Sequence, residues 1–91
     1  MKKRLECLIF GRVQLVMFRD FTKRKARSLE LTGIVENLKD GSVFVVAEGE
    51  EKFLRQLLKY LKDGPVLAKV ERLEEKWLPI KNEYPNFKII L

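Results

Sequence analysis

One stretch of this 91-residue chain concentrates the residue types that hold phosphate: Gly11-Arg12-Val13-Gln14-Leu15-Val16-Met17, followed by Phe18-Arg19. A loop that leaves a strand and enters a helix can aim several backbone N–H groups at one point. The helix N-terminus adds roughly half a positive charge there. Arg19, in the first turn, offers a planar fork of donors suited to phosphate oxygens. Gly11 to Met17 with Arg19 therefore reads as a candidate phosphate-binding loop. A plain connecting loop with a surface arginine is the alternative these residues leave open.

Other chemistry is excluded by what the chain lacks. It has no His and a single Cys, Cys7. That removes His-based acid–base catalysis, a Ser-His-Asp triad, a Cys-His pair and a zinc cage. The carboxylates show no spacing that suggests a metal cluster. Any catalysis must come from positioning and electrostatics supplied by Arg, Lys, Asn and backbone N–H groups. Nineteen Lys and Arg against 13 Asp and Glu give a net charge of +6, which favours anionic partners or simply a soluble surface.

The elements that must position the loop follow from periodicity. Leu5, Cys7 and Ile9 alternate with Glu6, Leu8 and Phe10, as in a strand with both faces partly apolar. Phe18, Phe21, Thr22, Ala26 and Leu29 recur at helical spacing between charged residues. A second strand is predicted from Ile34 to Leu38, an Asp40-Gly41 hairpin signal next, and a β-branched third strand from Val43 to Ala47. Gly49 breaks that pattern. Phe53, Leu54, Leu57, Leu58 and Leu61 mark a second helix closed by Gly64-Pro65. A fourth strand is predicted from Ala68 to Trp77, a loop from Leu78 to Pro85, and a short last strand carrying Phe87, Ile89 and Leu91.

The order is β-α-β-β-α-β plus a terminal strand, an α+β, ferredoxin-like two-layer sandwich. Two helices should cover one face of an antiparallel sheet, with strands one and three central. Leu8, Phe10, Phe44 and Val46 should point to the open face, and Cys7 to the core. Residues 1–91 form one domain, since two cores would not fit in this length. No apolar run approaches the ~20 residues of a membrane helix, so no membrane partner is expected. The charged start does not read as a signal peptide, and a lone Cys fits the cytoplasm.

The loop resembles the acylphosphatase signature Gly-x-Val-Gln-Gly-Val-x-Phe-Arg at Gly11, Val13, Gln14, Val16, Phe18 and Arg19. Thr32-Gly33-x-Val35-x-Asn37, Asp40-Gly41-Ser42-Val43, Ala47-Glu48-Gly49, Gly64-Pro65 and Phe87 are similar to that family too. The resemblance implies a ferredoxin-like sandwich that hydrolyses acyl phosphates without metal or cofactor. Arg19 takes the position of the family's phosphate-binding arginine, and Asn37 that of the asparagine holding the attacking water. The implied partner is a small-molecule acyl phosphate, with inorganic phosphate or sulfate as product or inhibitor, and the chain is expected to be a monomer. The residues suit this chemistry. A carboxylate leaves readily, so a site without His suffices, and Arg19 with the loop amides can stabilise phosphoryl charge. Asn37 can accept one hydrogen bond from water and donate another. It would equally shape the hairpin turn.

Three positions depart from the family pattern. Leu15 replaces a glycine inside the loop, where a positive φ would cost leucine about 1–2 kcal/mol and could displace the amides. Ile34 stands where an aromatic is usual. Glu36 stands beside Asn37 where a basic or neutral residue is usual, and it should point to the opposite face. These departures leave a weakly active or inactive interaction domain as an alternative. A second rival is an RNA-binding module that stacks bases on Phe10 and Phe44. Against nucleic acid, strand three lacks the motif of such modules, and much of the charge falls on the first helix. The excess of Lys and Glu over Asn and Gln hints at a thermophilic source.

Overall fold

The computed structural model describes residues 1–91. Strand β1 (Lys2–Arg12) sends Leu5, Cys7 and Ile9 into the core at alternate positions, as period-two patterning requires. Helix α1 (Phe18–Ser28) buries Phe18, Thr22 and Ala26, one residue per turn on a single stripe. Strands β2 (Thr32–Asn37) and β3 (Val43–Glu50) form a hairpin. Helix α2 (Glu51–Asp63) follows β3 directly and buries Leu54, Leu57, Leu58 and Leu61. Strands β4 (Lys69–Leu78) and β5 (Phe87–Ile90) complete the sheet. No helix is long and apolar enough to cross a membrane.

The sheet order is β4-β1-β3-β2-β5. β1 pairs antiparallel with β3 and β4, and β2 pairs antiparallel with β3, so β1 and β3 are central to the first four strands as predicted. β5 lies parallel to β2, which makes the sheet mixed at that edge. Both helices cover one face. The core between them and the sheet joins Leu5, Ile9, Val35, Val43, Val45 and Phe87 to Phe18, Ala26, Leu54, Leu57 and Leu61. Cys7 belongs to this core, as expected, and burial pushes its thiol up to about 12.

Gly49 does not end β3. It sits inside the strand with a φ of 155°, and the chain runs one residue further before turning into α2. Leu8, Phe10 and Phe44 are half-buried on the open face, as predicted. Val46 differs, because it is fully buried although it shares that face. Its cross-strand neighbours are Glu6 and Ile34, and the segment between β4 and β5 folds back over this end of the face. The tether is Glu48: its carboxylate accepts from the N–H of Lys81 and Asn82 at 2.8 and 3.0 Å and from Arg4 at 3.2 Å. Arg4, itself buried, also pairs with Glu6 and Glu83 at 3.0 Å each.

Candidate active site

Because β1, β2 and β5 all run antiparallel to β3 or parallel to β2, their carboxyl ends meet at one edge of the sandwich. The N-terminus of α1 opens at the same edge, since it follows β1 through residues 13–17. The loop is shorter than the sequence suggests. Gly11 and Arg12, predicted within it, belong to β1 and pair with Val70 and Lys69 of β4. The register slips between Phe10 and Gly11, a bulge that the sequence pattern does not reveal. Gly11 has a φ of 128°, and a Cβ there would lie 2.2 Å from the Lys69 carbonyl oxygen. Its glycine is needed for contact with β4 rather than for approach to a ligand. The free loop is therefore Val13 to Met17.

This loop carries a set of unpartnered donors. Val13 buries its side chain in the core, which anchors the loop's start. None of the main-chain N–H groups from Val13 to Met17 donates to a protein acceptor. Leu15 and Met17 both lie in the left-handed region, with φ of 60° and 64°. Left-handed residues within a turn bring consecutive N–H groups to a common side, the geometry of an anion-binding nest. Met17 is also the N-cap of α1 and supplies no side-chain cap, so the first-turn amides of the helix add to the set.

Two side chains fix this loop's surroundings. Gln14 donates through Nε2 to the carbonyls of Leu38 and Ser42, both at 2.8 Å, and so ties the loop to the β2–β3 hairpin. The sequence flagged Gln14 only as a loop residue, because a Gln side chain carries no sign of which distant carbonyls it will reach. The hairpin is closed in turn by Asp40, which accepts from the Ser42 hydroxyl at 2.6 Å and the Ser42 N–H at 2.9 Å. Those bonds hold the Asp40 carboxyl below the usual carboxylate range.

Arg19 stands half-buried with no carboxylate partner. Its Nη1 donates to the Ile90 carbonyl at 3.4 Å, a long bond that aims the guanidinium across the end of β5. Ile90 is the register partner of Glu36, the neighbour of Asn37. Asn37 is the last residue of β2 and shares parity with buried Val35, so it lies on the helix-covered face. Its Oδ1 is shielded from solvent and accepts no hydrogen bond from the protein. Glu36 takes the opposite, open face beside Phe44, as expected. Leu15, Arg19 and Asn37 thus gather at one edge of the sandwich, joined through Gln14 and Ile90.

The open face is a different kind of surface. Phe10 is covered by the Arg72 guanidinium at 4.1 Å, and carboxylates of Glu6, Glu36, Glu48 and Glu74 share the face with Phe44. The ring of Phe10 is thus already covered, and Glu6, Glu48 and Glu74 are paired with Arg4 or Arg72, so nothing on this face favours base stacking.

The chain matches the acylphosphatase family model over residues 5–89. It is 46% identical over 89 residues to an acylphosphatase of Caldanaerobacter subterraneus subsp. tengcongensis, covering 98% of this chain and 99% of that one. An acylphosphatase of Thermus thermophilus is 51% identical over 74 residues, 81% of this chain and 84% of that one. The crystal structure of acylphosphatase from Bacillus subtilis superposes over the full length of both chains with a TM-score of 0.94 at 31% identity.

Proposed function

We infer the chemistry from one premise: this chain belongs to the acylphosphatase family. It hydrolyses the bond between the carboxyl and the phosphoryl group of an acyl phosphate, giving a carboxylate and inorganic phosphate. The observation that carries the assignment of parts is the row of unpartnered amides from Val13 to Met17 beside an arginine without a counter-ion.

In this reading the phosphoryl oxygens accept hydrogen bonds from the loop amides, the first turn of α1 and Arg19. These donors are fixed before substrate arrives, so they need little reorganisation as charge spreads over the oxygens. Asn37 holds the nucleophile: its unpartnered Oδ1 accepts a hydrogen bond from one water and sets that oxygen in line with phosphorus. The water oxygen bonds to phosphorus while the bond from phosphorus to the acyl oxygen breaks. The electron pair stays on the departing carboxylate, whose low pKa removes the need for an acid catalyst. An amide is no base near neutral pH, so the water's proton passes to a phosphoryl oxygen. Leu15 fits this reading, because it takes up the positive φ that a glycine there would favour.

The test is hydrolysis of benzoyl phosphate by the native chain, Arg19→Ala and Asn37→Ala. Each variant should lose about 10²- to 10³-fold in rate, by analogy with loss of a single oxyanion donor. Inorganic phosphate and sulfate should inhibit the native chain competitively. Native hydrolysis no faster than buffer would end the catalytic reading. Two coarser expectations go with it. The chain acts as a monomer, because the charged residues along β4 blunt that edge against strand pairing; light scattering at increasing concentration checks this. A lone, buried Cys7 suits the cytoplasm.

A further inference from the structure

Building on the reading just given, we propose that Leu15 and Met17 form a lip for the acyl group and select acyl phosphates whose acyl part is apolar, an aryl or branched alkyl group. Two residues of the loop carry a conformational cost that the folded state does not offset. Both residues are left-handed, at φ of 60° and 64°. Glycine or asparagine takes that conformation at little cost, whereas leucine and methionine do not. Burial offers no compensation, since Leu15 is 97% exposed and Met17 66%. Large apolar side chains are thus held out in water, at strained positions, on the loop whose amides face the phosphoryl group.

The chemistry of the substrate says what meets them. In-line attack places the leaving carboxylate opposite the water that Asn37 holds, so the acyl group must leave the cradle on its solvent side. Leu15 and Met17 belong to the cradle loop itself and are its exposed apolar side chains. The loop carries no carboxylate, from Val13 to Met17, to recognise an ammonium or amide on the acyl part. An apolar acyl group covers the lip and removes its surface from water. An acetyl group is too short to cover it, and a carbamoyl group brings polar atoms that the lip cannot satisfy.

The experiment compares kcat/KM for benzoyl phosphate and acetyl phosphate in the native chain, Leu15→Asn, Met17→Asn and the double variant. Asparagine tolerates the left-handed region, so the loop keeps its course and the ratio of the two substrates isolates the acyl contact. Each methylene's worth of lost burial lowers the benzoyl-to-acetyl ratio by about fourfold. Most of the change should appear in KM, because the contact is made in ground and transition state alike. The calorimetric affinity for benzoylphosphonate, relative to acetylphosphonate, should fall in parallel. A ratio within twofold of native in the double variant, with both substrates still hydrolysed, overturns the lip and leaves the phosphate site standing. Failure of the native chain to hydrolyse either substrate overturns both.

Discussion

Replacing Leu15 with glycine separates the cost of a backbone conformation from the work of a side chain. Leucine at a φ of 60° carries about 1–2 kcal/mol of left-handed strain. Glycine removes that strain but adds unfolded-state freedom worth about 0.5–1 kcal/mol. The side chain is almost wholly exposed, so its loss removes almost no buried apolar area. The balance is a stabilisation of about 0–1.5 kcal/mol, with a midpoint of about 0.75 kcal/mol or roughly 3–6 °C in melting temperature for a chain of this size. Reversible urea unfolding with an unchanged m-value is the assay. Leu15→Ala is the control, because it keeps the β-carbon and most of the strain and should change stability little. Leu15 already holds the positive φ that glycine favours. The hydrolysis rate for acetyl phosphate, a substrate too short for the lip, should therefore stay within about threefold of native, since no donor moves. Destabilisation by Leu15→Gly, or equal stabilisation by glycine and alanine, would refute the assignment of strain to this residue.

Three further outcomes follow from the hydrogen-bond and burial pattern. Gln14→Ala removes both 2.8 Å bonds to the hairpin and should cost about 1–3 kcal/mol in chemical denaturation, with a fall in kcat/KM because the amide loop and Asn37 lose their common anchor; unchanged kinetics would show the tie to be idle. Glu48→Gln leaves buried Arg4 short of its closest buried counter-charge and should cost about 3 kcal/mol, with faster hydrogen exchange at the amides of Lys81 and Asn82; protection equal to native would refute the tether. Cys7 is held protonated in the folded state up to about 12, while the unfolded thiol ionises near its ordinary value. Above that ordinary value the unfolded state binds fewer protons than the native state, so stability falls as pH rises. The stability advantage of the native chain over Cys7→Ala should shrink steadily from about pH 9 upward in parallel melts.

Several elements were legible because their signals are local. The spacing of Phe18, Thr22 and Ala26 marks a helix stripe wherever the chain goes. The alternation of Leu5, Cys7 and Ile9 fixes which face of β1 is buried, and Asp40 followed by Gly41 marks the hairpin. What escaped the sequence depends on partners far along the chain. Gly11 reads as a loop glycine until β4 lies against it and forces a bulge. Val46 reads as open-face until Glu48 draws the β4–β5 segment over that end of the sheet. The parallel pairing of β5 with β2 follows from that long return segment, which carries no pairing signal of its own. At the site, Arg19 and Asn37 stood out through their motifs. The side-chain role of Gln14 did not, since its bonds go to carbonyls whose positions only the hairpin defines.

The topology explains why the site needs so few side chains. The crossover through α1 leaves β2 running in the same direction as β1 with β3 antiparallel between them, so β1 and β2 end at the same edge, and β5 joins them by its parallel pairing. That edge collects a helix N-terminus, a loop whose amides have no internal acceptors and the last residue of β2 without recruiting a cluster of charged groups. Arg19 is a half-buried cation at that edge, and the Ile90 carbonyl anchors it without neutralising it. A carboxylate in place of that carbonyl would give the arginine a permanent partner, and an incoming phosphate would have to displace it. The backbone acceptor aims the guanidinium and leaves its charge unneutralised. An Ile90 position cannot be changed to remove its carbonyl by ordinary mutation, but Arg19→Lys tests the same logic. Lysine keeps the charge and loses the fork, so it should recover phosphate affinity more fully than turnover.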